Sequence, residues 1–120
     1  MLIGVPKEIK NNEYRVGLTP AGVRELVAHG HGVIVQKDAG AGIGLNDDLY
    51  VTAGATIADS ADSVFADAEL IIKVKEPQPN ECAMLRPGQT LFTYLHLAPD
   101  PEQTRLLVEK LLPEIDALNR

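Results

Sequence analysis

Short apolar runs of strand length recur along this chain, each separated from the next by a capped segment with helical spacing. This alternation constrains the fold most, because strands joined by helices lie parallel and are covered on both faces. Leu2–Val5, stopped by Pro6, reads as the first strand; residues 33–36, 55–58, 70–74 and 91–95 supply four more. Between them, Thr19-Pro20 gives an N-cap and a proline at the first helical position, ahead of a stripe of Val23, Leu26 and Val27. Gly30 ends that helix in the left-handed conformation. Asn46-Asp47-Asp48 caps a short helix running to Gly54, and Asp59 or Ser60 caps one holding Val64 and Phe65. A short helix is expected around residues 81–85, and Asp100-Pro101-Glu102-Gln103 opens another with a capping-box pattern. The prediction is an α/β fold: an open, mainly parallel sheet of about five strands with helices on both faces, flavodoxin/Rossmann-like. The spacing favours a flavodoxin-like arrangement.

The 120 residues suit one domain, and 45% hydrophobic with 23% charged residues suits a globular core. With aromatics at 4% and no Trp, aliphatic side chains and Ala must fill it. A net charge of -6 argues against nucleic acid or an anionic membrane as partner. No apolar run approaches the length of a membrane span, and the N-terminus has no charged leader of the kind a signal peptide carries. The single Cys82 excludes an internal disulfide and suits a reducing cytoplasm.

In an open parallel sheet, ligands bind beyond the carboxyl ends of the strands. The fourth predicted strand delivers Lys75 there, the fifth delivers His96, and the loop after the first carries Arg15. Each has a structural alternative. Lys75 shares a period-two face with Lys73 and reads equally well as a solvated strand end. His96 reads equally well as a loop histidine bonded to backbone. Arg15, taken alone, reads better as a surface arginine paired with Glu13 or Glu8. Together the three suggest a pocket for a small anion with a titratable group beside it. Gly40-Ala-Gly-Ile-Gly44 follows a strand but has Leu45 where the dinucleotide fingerprint needs glycine, so it reads as a tight loop whose glycines supply positive φ. His29 and His31 lack partners at metal-ligand spacing, and Cys82 reads as a packing residue.

Four segments go further: Gly4-Val-Pro-Lys-Glu-Ile-Lys-Asn-Asn-Glu-Tyr-Arg-Val16, Thr19-Pro-Ala-Gly-Val23, Ile72-Lys-Val-Lys-Glu-Pro77 and Leu85-Arg-Pro-Gly-Gln-Thr-Leu-Phe-Thr-Tyr-Leu-His-Leu-Ala98. In content, order and spacing they resemble the amino-terminal, substrate-binding domain of bacterial alanine dehydrogenases, over residues 1–107. The amino-terminal domain of nicotinamide nucleotide transhydrogenase shares the Arg15 segment. The resemblance implies an oxidoreductase that converts L-alanine to pyruvate and ammonia with NAD. In it, Arg15 and Lys75 would hold the carboxylate and carbonyl side of the substrate, and His96 would be the acid/base. It also implies that the nucleotide site lies on a separate Rossmann domain that these residues lack, so no NAD is expected on this chain and no turnover from it alone.

Residues 108–120 do not resemble the continuation expected of that family. Leu106, Leu107, Leu111, Ile115 and Leu118 form a helical apolar stripe that Pro113 interrupts, predicting a break near Leu112 and a second short helix. Such a tail would cover a sheet face left bare by a truncated substrate domain, or would support self-association. Two readings other than the enzyme part stay open: a non-catalytic scaffold or interaction domain, and a transhydrogenase-type domain.

Overall fold

The computed structural model describes residues 1–94 and 101–111. They form a five-stranded, all-parallel sheet with spatial order β3-β2-β1-β4-β5. The strands are β1 (Leu2–Val5), β2 (Gly32–Gln36), β3 (Thr56–Ala58), β4 (Leu70–Ile72) and β5 (Thr90–Phe92). The helices are α1 (Pro20–Ala28), α2 (Asp47–Ala53), α3 (Ala61–Asp67), α4 (Pro79–Cys82) and α5 (Pro101–Leu111). The doubly wound expectation holds, with one correction. The order is that of the first five strands of a Rossmann sheet and not the flavodoxin order, because β3 adds outside β2 and α3 then carries the chain back to the far side of β1.

The helix starts follow the predicted caps. Thr19, Asn46 and Ser60 each accept a hydrogen bond from a backbone N–H three residues on, at 3.2, 3.2 and 3.3 Å, each cap contributing about 1 kcal/mol. Gly30 and Gly54 follow α1 and α2 with φ of +88° and +109°, as left-handed helix ends require. The predicted Asp100 cap and the Pro113 break lie outside the described residues.

Side-chain alternation along the strands produces two cores. Ile3, Val5, Val33 and Val35 pack on one face against Val23 of α1 and Tyr50 and Ala53 of α2. Ile71 and Ala58 pack on the other against Val64 and Phe65 of α3, Cys82 of α4 and Leu107 of α5. Gly4 lets α3 lie directly on β1: a Cβ there would stand 2.6 Å from the Cβ of Ala68. Among the described residues, no helix is long and apolar enough to cross a membrane.

Connections from β1 leave towards β2 on one side, whereas β4 pairs with its other edge. The chain therefore reverses its winding between β1 and β4. A crevice opens at the carboxyl ends of this strand pair, where doubly wound sheets bind ligands.

Candidate functional site

Pro6 ends β1, and the polar loop that follows folds across the end of β4. Glu8 is the hinge of this contact. Its side chain is 1% exposed, as is that of Lys73, whose Nζ donates to Glu8 Oε1 at 3.0 Å. The same carboxylate accepts the backbone N–H of Val74 at 3.1 Å and of Lys75 at 3.0 Å. On its other side, Lys73 Nζ lies 3.1 Å from Glu81 Oε2 of α4. A buried ammonium is tolerable only when paired and hydrogen-bonded, and here two carboxylates enclose it. Burial pushes the Glu81 carboxyl upward in pKa, and the Lys73 charge pulls it back only in part. Two further contacts hold the loop: Lys10 pairs with Glu76, and Gly17 lies so close to the end of β4 that a Cβ would come 2.7 Å from the carbonyl oxygen of Ile72.

These contacts correct the predicted strand end. The β4 ladder stops at Ile72 rather than at position 74. Lys73 still donates its N–H to the carbonyl of Phe92 at 3.0 Å, but the next two N–H groups turn to Glu8. Lys73 and Lys75, expected on one face, are therefore separated. One is a buried structural ion; the other is half-buried at the rim.

At that rim, Arg15, Val74, Lys75 and Tyr94 line a cavity of about 340 Å³. Arg15 also borders a neighbouring cavity of about 440 Å³ formed by the loop from Lys7 together with Asp38, Ala39 and Gly42. The structure thus brings Arg15 and Lys75 to one pocket. Thr93 holds the Lys75 carbonyl with a hydrogen bond of 3.0 Å. Arg15 is exposed, and it grips Glu13, with Nε to Oε2 at 2.9 Å and Nη2 to Oε1 at 2.8 Å. The surface pairing considered for Arg15 is therefore present, with Glu13 as partner rather than Glu8. The bond from Arg15 lowers the Glu13 pKa to about 2. His96 lies outside the described residues.

The other candidates do not join this site. His29 is exposed and its Nδ1 lies 2.8 Å from the carbonyl of Glu25. His31 is half-buried against the amino terminus. Cys82 packs in the second core. In the glycine loop, only Gly44 has positive φ, at +80°. Gly40 serves close approach instead, since a Cβ there would meet Leu45 at 2.6 Å.

The residues present do not fit NAD. A dinucleotide fold places the pyrophosphate at a glycine turn between its first strand and helix. Here that turn is Pro6-Lys7-Glu8, and it is filled by a buried carboxylate. The loop after β2 leads through a 3-10 turn, Ala41–Ile43, into a segment capped by Asn46, and its closest backbone approach is occupied by Leu45.

Sequence reasoning missed Glu8 and Glu81 as parts of this site and used Lys73 only as an argument against Lys75. One signal was available: a lysine at position 73 between the apolar Ile72 and Val74, where a charge needs a buried partner. Tyr94 carried no signal as a pocket residue.

The profile described as "Alanine dehydrogenase/PNT, N-terminal domain" matches residues 4–117. An alanine dehydrogenase of Methanococcus maripaludis is 56% identical over 115 residues, 96% of this chain and 31% of that protein. The alanine dehydrogenase of Bacillus subtilis is 53% identical over 110 residues, 92% of this chain and 29% of that protein. Among solved structures, an L-alanine dehydrogenase superposes with a TM-score of 0.88 at 50% identity, covering 91% of this chain and 30% of its own. A transhydrogenase from Sinorhizobium meliloti superposes with a TM-score of 0.84 at 27% identity, covering 90% of this chain and 32% of its own. The chain spans about a third of the length of these relatives.

Proposed function

The chain belongs to the alanine dehydrogenase/PNT amino-terminal domain family, and from that premise we propose that it is the substrate-binding part of an NAD-dependent L-alanine dehydrogenase. Arg15 and Lys75 hold the carboxylate and carbonyl side of L-alanine or pyruvate, and His96 moves the proton. One observation carries this reading: Arg15 and Lys75, sixty residues apart in sequence, line the same small cavity at the carboxyl ends of the strands. A guanidinium offers a planar fork to a carboxylate, and an ammonium polarises an adjacent carbonyl oxygen. Fixed cations of this kind orient an anionic substrate for hydride transfer, and imidazole suits proton transfer near neutral pH.

The nucleotide comes from elsewhere in this reading, on a further domain or another chain. Tyr14 and Tyr94, 63% and 71% exposed, flank the two cavities that share Arg15, and aromatic side chains so placed suit a covering partner. That partner is a nucleotide-binding domain or a second copy of this chain. The 120-residue chain by itself therefore shows no saturable NADH binding and no alanine oxidation. The reading is tested by titrating the chain with pyruvate and following amide resonances. Saturable shifts centred on Arg15 and Lys75, lost in Arg15→Ala and Lys75→Ala, support it. Absence of binding, or binding that survives both substitutions, refutes it.

A further inference from the structure

We propose that Glu8, with Lys73 as its buried counter-ion, is a positioning residue that sets the separation of the Lys75 ammonium and the Arg15 guanidinium, and so determines which carboxylates the crevice accepts. The inference rests on the reading of Arg15 and Lys75 as the substrate-holding pair.

The argument is geometric. In an extended strand, successive backbone N–H groups point to opposite sides. The N–H groups of Val74 and Lys75 both reach the Glu8 carboxylate, at 3.1 and 3.0 Å, so the backbone must bend immediately after Lys73, the last residue bonded to β5. That bend takes Lys75 off the face on which Lys73 is buried and brings it to the rim of the cavity it shares with Arg15. Lys75 is then held at its carbonyl by Thr93. An ion pair that served stability alone would need no donors from positions 74 and 75.

Glu8 also lies on the loop that carries Arg15, so one carboxylate references both cations. A carboxylate has about four acceptor sites, and Glu8 uses three of them, for Lys73 and two backbone donors. Lys73 extends the brace to Glu81 and α4. The Glu8 side chain therefore acts as a spacer. Shortening it by one methylene keeps the charge but draws the end of β4 towards the loop or breaks a bond to it.

Two ligands separate positioning from bulk stability. Acetate can be held by Arg15 alone. Pyruvate carries a carbonyl beside its carboxylate and needs Arg15 and Lys75 at the right separation. In Glu8→Asp the dissociation constant for pyruvate should rise at least fivefold, while that for acetate changes less than twofold. Parallel weakening of both, or unchanged pyruvate affinity in the folded variant, would overturn the proposal. Should Glu8→Asp fail to fold, amide exchange in the unaltered chain decides: the Val74 and Lys75 amides must belong to the slowly exchanging set, and unprotected rates would overturn the assignment. Should the unaltered chain bind no pyruvate, the functional reading fails separately. The positioning role is then read from labelling of Lys75 by trinitrobenzenesulfonate, an anionic amine reagent. Glu8→Asp should slow it at least threefold, and an unchanged rate would overturn the role.

Discussion

The carboxylate of Glu13 lies along the guanidinium of Arg15, one oxygen on Nε at 2.9 Å and the other on Nη2 at 2.8 Å. This is the two-pronged arrangement a substrate carboxylate would adopt. Glu13 therefore competes for the group that the proposed function assigns to the substrate. With its pKa lowered to about 2, chiefly by the hydrogen bond from Arg15, it stays charged at any working pH. The Glu13 side chain is 6% exposed but that of Arg15 is 63% exposed, and a pair open to water on one side contributes about 0.2–1 kcal/mol. Glu13→Gln should accordingly tighten pyruvate binding by about 1.4- to fivefold, measured by calorimetry or resonance shifts. Weaker binding would mean that Glu13 orients Arg15 rather than occupying it.

Gly17 sets how closely the Arg15 loop approaches β4. A Cβ at this position would stand 2.7 Å from the oxygen and 3.0 Å from the carbon of the Ile72 carbonyl. Both are backbone atoms and cannot swing aside. Gly17→Ala should cost about 1–3 kcal/mol in stability, read as a lower denaturation midpoint. It should also weaken pyruvate binding, because the loop must lift away from Lys75. A variant of unchanged affinity would show that the loop tolerates the displacement without altering the cavity.

Tyr50 makes the first core sensitive to alkali. It is fully buried, its hydroxyl donates to the Leu18 carbonyl at 2.7 Å, and loss of solvation raises its pKa from 10.0 to about 12. In the unfolded chain the phenol loses its proton near pH 10, whereas the folded chain keeps it to about pH 12. Between those values the folded state binds more protons, so stability falls as pH rises, by on the order of 2 kcal/mol across the window. Below pH 10 this contribution is constant. Tyr50→Phe should cost about 1 kcal/mol at pH 7 through the lost hydrogen bond and should flatten the alkaline slope. Urea denaturation at pH 8, 10 and 11.5 measures both. An equally steep slope in Tyr50→Phe would assign the alkaline loss to another group.

The elements of the fold were readable because each rests on local chemistry. Thr19-Pro20, Asn46 and Ser60 start helices in the structure as their side chains and spacing dictate. The apolar runs become strands whose alternate residues enter opposite cores. The sheet order was not readable, since the segments that start and stop the elements carry no statement of which edge of β1 the fourth strand joins. That choice follows from where α3 buries Val64 and Phe65.

The site divides in the same way. Arg15 and Lys75 could be named from their places after β1 and β4, and the family from four ordered segments. Sequence could not show that Lys73 is a buried ion while its period-two neighbour Lys75 stands at the rim. Periodicity assumes an unbroken strand, and the break is made by Glu8, sixty-five residues earlier than Lys73. The amino-acid sequence by itself determined the strand-helix alternation, the helix caps and the residue types available at the crevice, because these depend on neighbours along the chain. Only the tertiary structure decided which charges are buried and which face the cavity. A side chain's solvation and ion partners depend on groups that meet only when the sheet closes, and burial of an unpaired charge is too costly to be left to local preference.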